Sequence, residues 1–227
     1  MALNMVEDFH YPIIEEAAKS AFINSPPTHD FSHTRRVLNL CMHIGRYEGA
    51  DLEILYAAAL LHDIARDEAD TTDKCHAQLS GERAEPILIS AGFPEEKRAA
   101  VIHCITAHRF RSDNPPQTLE AKILYDADKL DAIGAIGVCR AYAYGGENGQ
   151  RLYDDTFTPA DLVSKNIDII SKVTDHSQHT PIIEFRIKLS QIKDKLFTKT
   201  ARAIAESRHR YMLKFFNRLY EEVNGIK

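Results

Sequence analysis

Apolar residues recur at helical spacing, not in alternation, along nearly the whole chain. Ile13, Ile14, Ala17 and Ala21 mark one stripe of a helix expected over residues 6–22, with Pro12 near its start. Residues 25–28 read as a loop. From Ser32 onward Val37, Leu38, Cys41, Ile44 and Tyr47 repeat the pattern until Gly49 stops it, and Asp51 is a ready N-cap for the helix that follows. That helix carries the run Ala57-Ala58-Ala59-Leu60-Leu61. Helices are expected over 76–90, closed by Gly92, over 94–107, opened by Pro94, and over 119–132. Polar or glycine-rich stretches at 67–73, 109–116, 145–149 and 174–181 read as loops. A last helix is expected over 191–224, with Ser207, Tyr211, Phe215, Leu219 and Val223 stepping by four along one face. No segment reads as a strand and no internal repeat is visible, so the fold class is all-α.

One place breaks this pattern in a way that packing does not explain. His62-Asp63 stands at the end of the apolar run, where both side chains would be stripped of water. An uncompensated buried carboxylate costs several kcal/mol, and a divalent cation is the simplest way to offset it. Two further ligand-type residues occur at comparable places: His33 in Phe31-Ser32-His33-Thr34, and Asp128 in Tyr125-Asp126-Ala127-Asp128. Two imidazoles and two carboxylates form a mixed nitrogen and oxygen set suited to a borderline or hard metal. Around them stand cationic and histidine side chains able to hold phosphate: Arg66, His76, His108, Arg109, Arg111 and Lys129. Asp126 reads as part of a solvated acidic face. Asp131 shares a face with Asp128, either orienting a ligand or pairing with a cation. His103, among Val101, Ile102 and Ile105, reads as structural.

The order His33, His62-Asp63, Asp128, each near a helix end, resembles the HD-domain metal-dependent phosphohydrolases. The likeness continues through Cys75-His76-Ala77, Ala107-His108-Arg109, the stretch 126–137 and Thr198-Lys199-Thr200-Ala201-Arg202. It is strongest to the small-protein branch that includes nucleoside triphosphate pyrophosphohydrolases. This resemblance implies a helical HD core over residues 1–150, with residues 151–227 as a helical extension packing on it. It implies His33, His62, Asp63 and Asp128 as ligands of a divalent ion (Mn, Mg, Co, Fe, Ni or Zn). Positions 76 and 108 match those where two-metal members place additional histidines, leaving them open between second-ion ligands, phosphate donors and ordinary helix-face histidines. Asp67 follows Asp63 by one helical turn; hydrolases of guanosine polyphosphates carry a Glu-Asp pair there, of which only the second acid is present. Asp67 is therefore the candidate for positioning the attacking water.

Composition narrows the partners. A formal charge of −5 argues against a nucleic-acid polymer but not against a small phosphorylated substrate such as a nucleotide. No stretch has the apolar length to span a bilayer, and the N-terminus lacks a basic region followed by a hydrophobic one, so a cytoplasmic address is expected. The four cysteines form no CxxC pair, and Cys41, Cys104 and Cys139 read as small buried thiols. The last helix could equally cover a second copy of the chain as a homodimer.

The expected chemistry is metal-assisted attack of water on phosphorus, since a bound cation lowers the pKa of water from 15.7 toward about 7. No Gly-x-Ser-x-Gly elbow or phosphate-cradling glycine loop is present to suggest a covalent or P-loop route. Two alternatives remain open from sequence. One is an HD-fold di-iron oxygenase using His76 and His108; the other is a non-catalytic nucleotide sensor.

Overall fold

The computed structural model describes residues 11–23, 30–69, 75–109, 114–153, 157–160 and 179–227. The start of the expected first helix, the loop at 25–28, Arg111 and most of the segment 174–181 lie outside them. Among the described residues no strand occurs, and the helices fall largely where the apolar periodicity puts them.

Helices α1 (Pro12–Ala21), α2 (Phe31–Glu48), α3 (Leu52–Leu61), α4 (Arg66–Ala69), α5 (His76–Ser90), α6 (Glu95–Ala107), α7 (Leu119–Leu130) and α8 (Gly134–Glu147) come first. A short helix Pro181–Ile187, a 3-10 turn Leu189–Asp194 and a last helix Lys199–Val223 complete the order. Two compact units result: one extends to Asp128 and takes in Phe197–Ala201, and the other comprises Lys129–Leu196 and Arg202–Lys227.

In the first unit α3 is the central element. Asp51 caps it by accepting from the Glu53 and Ile54 amides, and every residue from Ile54 to Leu61 is buried. Helices α2, α6 and α1 pack against it, and α5 packs on α6. Gly45 of α2 lets the two helices approach: a Cβ there would stand 2.5 Å from Leu55 Cδ1 and 2.9 Å from Leu52 Cδ2. Asp30 opens α2 by accepting from the Ser32 amide at 3.0 Å, and Gly49 closes it at φ 75°, a conformation glycine adopts without strain. The second unit packs Phe185 against Phe216, ring centroids 5.0 Å apart, and stacks His209 on Phe185 at 5.7 Å.

Several expectations need correction. The last helix starts at Lys199, not 191, because Leu189–Asp194 winds as a 3-10 turn and Thr198 caps the new helix, its hydroxyl accepting from the Ala201 amide. Its buried side chains in the second unit are Ala205, Met212 and Phe216, while Tyr211 and Val223 are exposed. A strict step of four drifts off one face of a 3.6-residue helix, so the buried positions are spaced by seven and then four. The glycine pair at 145–146 ends α8 instead of forming a loop. Cys41 and Cys104 are buried as expected, but Cys139 is exposed on α8. Asp126 is not solvated: it is fully buried, accepting from the Phe197 amide at 2.9 Å and from the Thr198 amide and hydroxyl at 2.8 Å each. His103 does act structurally, its Nε2 accepting from the Gln117 amide at 3.1 Å.

Candidate metal centre

Helix ends build the site. The Asp30 cap sets His33 in the first turn of α2, and the apolar face Val37, Leu38, Cys41 and Ile44 turns that side chain inward, where it is buried. α3 ends at Leu61, so His62 and Asp63 occupy the turn just beyond it, both buried, and the turn is pinned to α5 by Ser80 Oγ accepting from the Ala65 amide. His76 opens α5, His108 follows the last residue of α6, and Asp128 lies in the last turn of α7. All six belong to the first unit.

Their tips fall into two triads, His33–His62–Asp128 and Asp63–His76–His108, and within each the ligand atoms lie within 4.8 Å of one another. In the first, His33 Nε2 stands 3.4 Å from His62 Nε2 and 3.5 Å from Asp128 Oδ1. In the second, Asp63 Oδ1 stands 3.4 Å from His76 Nε2 and 3.5 Å from His108 Nε2. Metal–nitrogen bonds of about 2.1 Å in a tetrahedron put ligand atoms about 3.4 Å apart, so both spacings suit a shared ion. Asp63 joins the triads, because its other oxygen, Oδ2, lies 3.8 Å from His62 Nε2 and 4.0 Å from His33 Nε2.

Protonation decides whether those tips are donors or lone pairs. His62 Nδ1 donates to Ala59 O at 2.8 Å, and His108 Nδ1 donates to Ile105 O at 2.6 Å, each reaching the carbonyl three residues back at a helix end. A neutral ring with its proton on Nδ1 presents a bare lone pair at Nε2. Burial keeps His62 neutral, pushing it down to about 4. Burial opposes the charge on Asp63, yet His62, His108 and Arg66 more than offset this, holding it well below the usual carboxylate range. Its Oδ1 is buried and accepts no well-formed hydrogen bond from any described residue. The Nε2 lone pairs of His62 and His108 and the buried Asp63 Oδ1, which has no well-formed hydrogen bond, are donor atoms of the kind a divalent cation takes, so these residues fit a metal. His76 differs, since its Nδ1 accepts from Arg109 at 3.4 Å and its neutral ring turns Nε2–H toward Asp63. Burial, with Arg66 and Arg109 also repelling a proton, holds His76 down to about 4.

The cationic residues separate in the same way. Arg66 Nη1 donates to Asp63 Oδ2 at 3.0 Å, and Arg109 reaches Cys75 Sγ at 3.6 Å as well as His76. Both line the side of the cluster occupied by Asp63 and His76. Asp67 is exposed in α4, outside either triad. Lys129 follows Asp128 and belongs to the second unit. Asp131, also of the second unit, is buried and accepts from Arg140 at 3.0 Å, the cation pairing that was one of its two expected roles.

Residues 30–133 match the family model described as HD domain. The uncharacterized protein YpgQ of Bacillus subtilis is 35% identical over 202 residues, covering 87% of this chain and 86% of that one. The chain belongs to the HD-domain family. The crystal structure of Bacillus subtilis YpgQ in complex with ADP superposes with a TM-score of 0.68 at 31% identity, covering 97% of this chain and 95% of that one. An HD-superfamily hydrolase from Bacillus thuringiensis gives a TM-score of 0.68 at 31% identity, with 93% and 96% coverage. A predicted HD superfamily hydrolase from an uncultured Thermotogales bacterium gives 0.65 at 30% identity, with 92% and 90% coverage. No described helix is long and apolar enough to cross a membrane.

Proposed function

We propose that this chain is a metal-dependent phosphohydrolase whose substrate is a small phosphorylated compound, a nucleotide. The observation that carries the reading is the meeting of buried His33, His62 and Asp63 with the partly buried Asp128, the His62 tautomer set by a backbone carbonyl and Asp63 Oδ1 left without a well-formed hydrogen bond. The ADP bound to the related YpgQ supports the choice of nucleotide.

His33, His62, Asp63 and Asp128 would hold the divalent ion. When bound, that ion polarises a phosphoryl oxygen and lowers the pKa of water toward neutrality. The remaining steps fall to the protein. Arg66 and Arg109 bind phosphate oxygens bidentately and stay charged at any working pH. His76 contacts the same phosphate, donating through the Nε2–H that faces Asp63, while His108, its Nδ1 proton engaged by Ile105 O, would serve a second ion through Nε2. Lys129 screens charge on the leaving side. Asp67, exposed on α4, orients the attacking water and takes its proton. His62 does not serve as general base, because its Nε2 lone pair would be taken up by the ion.

The second triad favours one other reading. Were both groups of donors to hold iron, Asp63, His76 and His108 would help hold the second ion, which would supply the oxygen chemistry of di-iron HD proteins.

The test is metal analysis of the purified protein with a panel of nucleotides and phosphoesters, reading phosphate, pyrophosphate and dioxygen uptake. Wild type should release phosphate or pyrophosphate with Mn or another divalent ion. Asp63→Ala should lose both metal and turnover, and Asp67→Ala should keep the metal and lose at least about 100-fold in rate, the usual worth of a general base. Full occupancy and turnover in Asp63→Ala would sink the assignment, and dioxygen uptake without phosphate release would favour the iron reading.

A further inference from the structure

Asp63 is pulled in two directions. Its Oδ2 is 3.0 Å from Arg66 Nη1 but 3.8 Å and 4.0 Å from His62 Nε2 and His33 Nε2. The other neighbouring ligand atoms lie 3.4–3.5 Å apart, the edge length that suits one shared ion. Arg66 therefore holds Oδ2 back from the common centre by about half an ångström relative to the 3.4 Å edge expected for ligands around an ion. Asp63 is buried while Arg66 is only partly so, which means the guanidinium can swing outward at little cost and the carboxylate cannot. Arg66 also follows Asp63 by three residues, and its own amide donates to Asp63 O at 3.0 Å, so the pair is set by one tight turn.

We propose that Arg66 is the counter-cation of Asp63 in the metal-free protein, that a divalent ion competes with it for Asp63 Oδ2, and that the guanidinium so displaced becomes available to a phosphoryl group. This rests on the metal-site reading above and goes beyond it. Without a cation of either kind, the Asp63 carboxylate would be a buried charge with little compensation. Arg66 fills that role until the ion arrives. An ion on Oδ2 brings two positive charges close to the guanidinium, which then has reason to leave and a phosphate to go to. Metal and phosphate are thereby coupled through one side chain, and the coupling is reciprocal: each ligand strengthens the other by the same factor. Asp63 would then be charge-compensated at every stage, by Arg66 before the ion and by the ion afterwards.

The test is calorimetric titration with MnCl2 alone, without nucleotide, of wild type, Arg66→Gln and Arg66→Lys. A second titration uses inorganic pyrophosphate with and without Mn2+. Arg66→Gln should bind Mn2+ about tenfold tighter than wild type, within the usual 5- to 150-fold range of coupling between sites, with Arg66→Lys between them. Metal-free Arg66→Gln should melt lower than wild type, and saturating Mn2+ should raise its melting temperature by more than it raises that of wild type. Pyrophosphate should bind wild type more tightly when Mn2+ is present, and this enhancement should shrink in Arg66→Gln. A residue that merely braces the turn would lower the melting temperature and weaken Mn2+ binding together. Unchanged or weaker Mn2+ binding in Arg66→Gln, with wild type binding normally, overturns the proposal and leaves the metal site standing. No Mn2+ binding by wild type overturns both.

Discussion

Replacing Asp126 by alanine should cost more stability than any single change at the surface. The carboxylate is fully buried and accepts three hydrogen bonds, from the amides of Phe197 and Thr198 and from the Thr198 hydroxyl, at 2.8–2.9 Å. These join α7 to the turn that opens the last helix, 71 and 72 positions away in sequence. Each hydrogen bond to a charged group contributes about 1.5–3 kcal/mol net. Three would sum to roughly 5–9 kcal/mol, but they share one carboxylate and water can reach part of the space left behind. The relevant scale is therefore the loss seen when one partner of a buried charge network is removed, about 3–5 kcal/mol. At about 2–4 °C per kcal/mol for a chain of this length, the melting temperature should fall by roughly 6–20 °C. Asp126→Asn keeps the volume and one acceptor but sets an NH2 group against an N–H, and should lose about half as much on the same scale. Urea and thermal unfolding measure the cost, and amide exchange localises it, with protection lost first at Phe197, Thr198 and Ala201. The reasoning fails if Asp126→Ala stays within about 1 kcal/mol of wild type, the size of an ordinary surface change, while those amides remain protected.

Two other changes test the supports of the fold. Lys97 bridges Asp51 at 2.7 Å and Glu53 at 2.8 Å. Burial raises the Asp51 carboxyl, but Lys97 and the backbone amides outweigh it, and Lys97 with Tyr11 lowers Glu53. Both folded carboxyls are thus depressed, so their stabilisation is present above the ordinary values of 3.8 and 4.5 and is lost as pH falls through the folded ones. Lys97→Met should cost about 1 kcal/mol at pH 7, as partly exposed ion pairs do, and much less near pH 3; urea unfolding at the two pH values checks this, and an equal gap at both would contradict it. Gly137→Ala would set a Cβ 2.4 Å from the Ala132 carbonyl oxygen, backbone that cannot step aside as a side-chain tip can. A loss of about 1–3 kcal/mol is expected, read as a fall in melting temperature, and an unchanged melting temperature would show that the turn before α8 adjusts freely.

Of the four ligand candidates, His62 and Asp63 stand out most plainly in the sequence, because they interrupt an apolar run. His62 and Asp63 follow eight consecutive buried residues, and a run of that kind leaves no polar face for them to share. His76 and His108 were harder, because each sits at a helix boundary where a solvated histidine is ordinary; only the fold shows that their Nε2 atoms meet Asp63. Asp126 misled, since acids at 126, 128 and 131 resemble a wet helix face. A signal was nevertheless present. Ile123, Leu124, Tyr125, Ala127 and Leu130 beside it are apolar and buried, so most of α7 at that level is dry. Its partner could not be found locally, because Thr198 lies far along the chain. The shifted start of the last helix has the same origin: the residue that caps it is itself held by Asp126.

His62 and His108 share a device that explains why the apolar runs before them matter to chemistry. Each ring donates from Nδ1 to the carbonyl three residues back, at a helix end where carbonyls lack an intrahelical partner. The backbone thereby assigns the tautomer, and each triad holds one Nε2 lone pair already aimed. That assignment holds only if water stays away from Ala59 O and Ile105 O, for water would otherwise take the place of the ring. Ala58, Ala59, Leu60 and Leu61 on one side, and Cys104, Ile105 and Ala107 on the other, are buried and exclude it. The same dryness leaves Asp63 with few ways to be satisfied, so a cation becomes necessary to it. An apolar helix ending in His-Asp is thus a single physical unit: the packing that strips water from the histidine fixes its proton, and the packing that strips water from the aspartate creates its need for a positive charge.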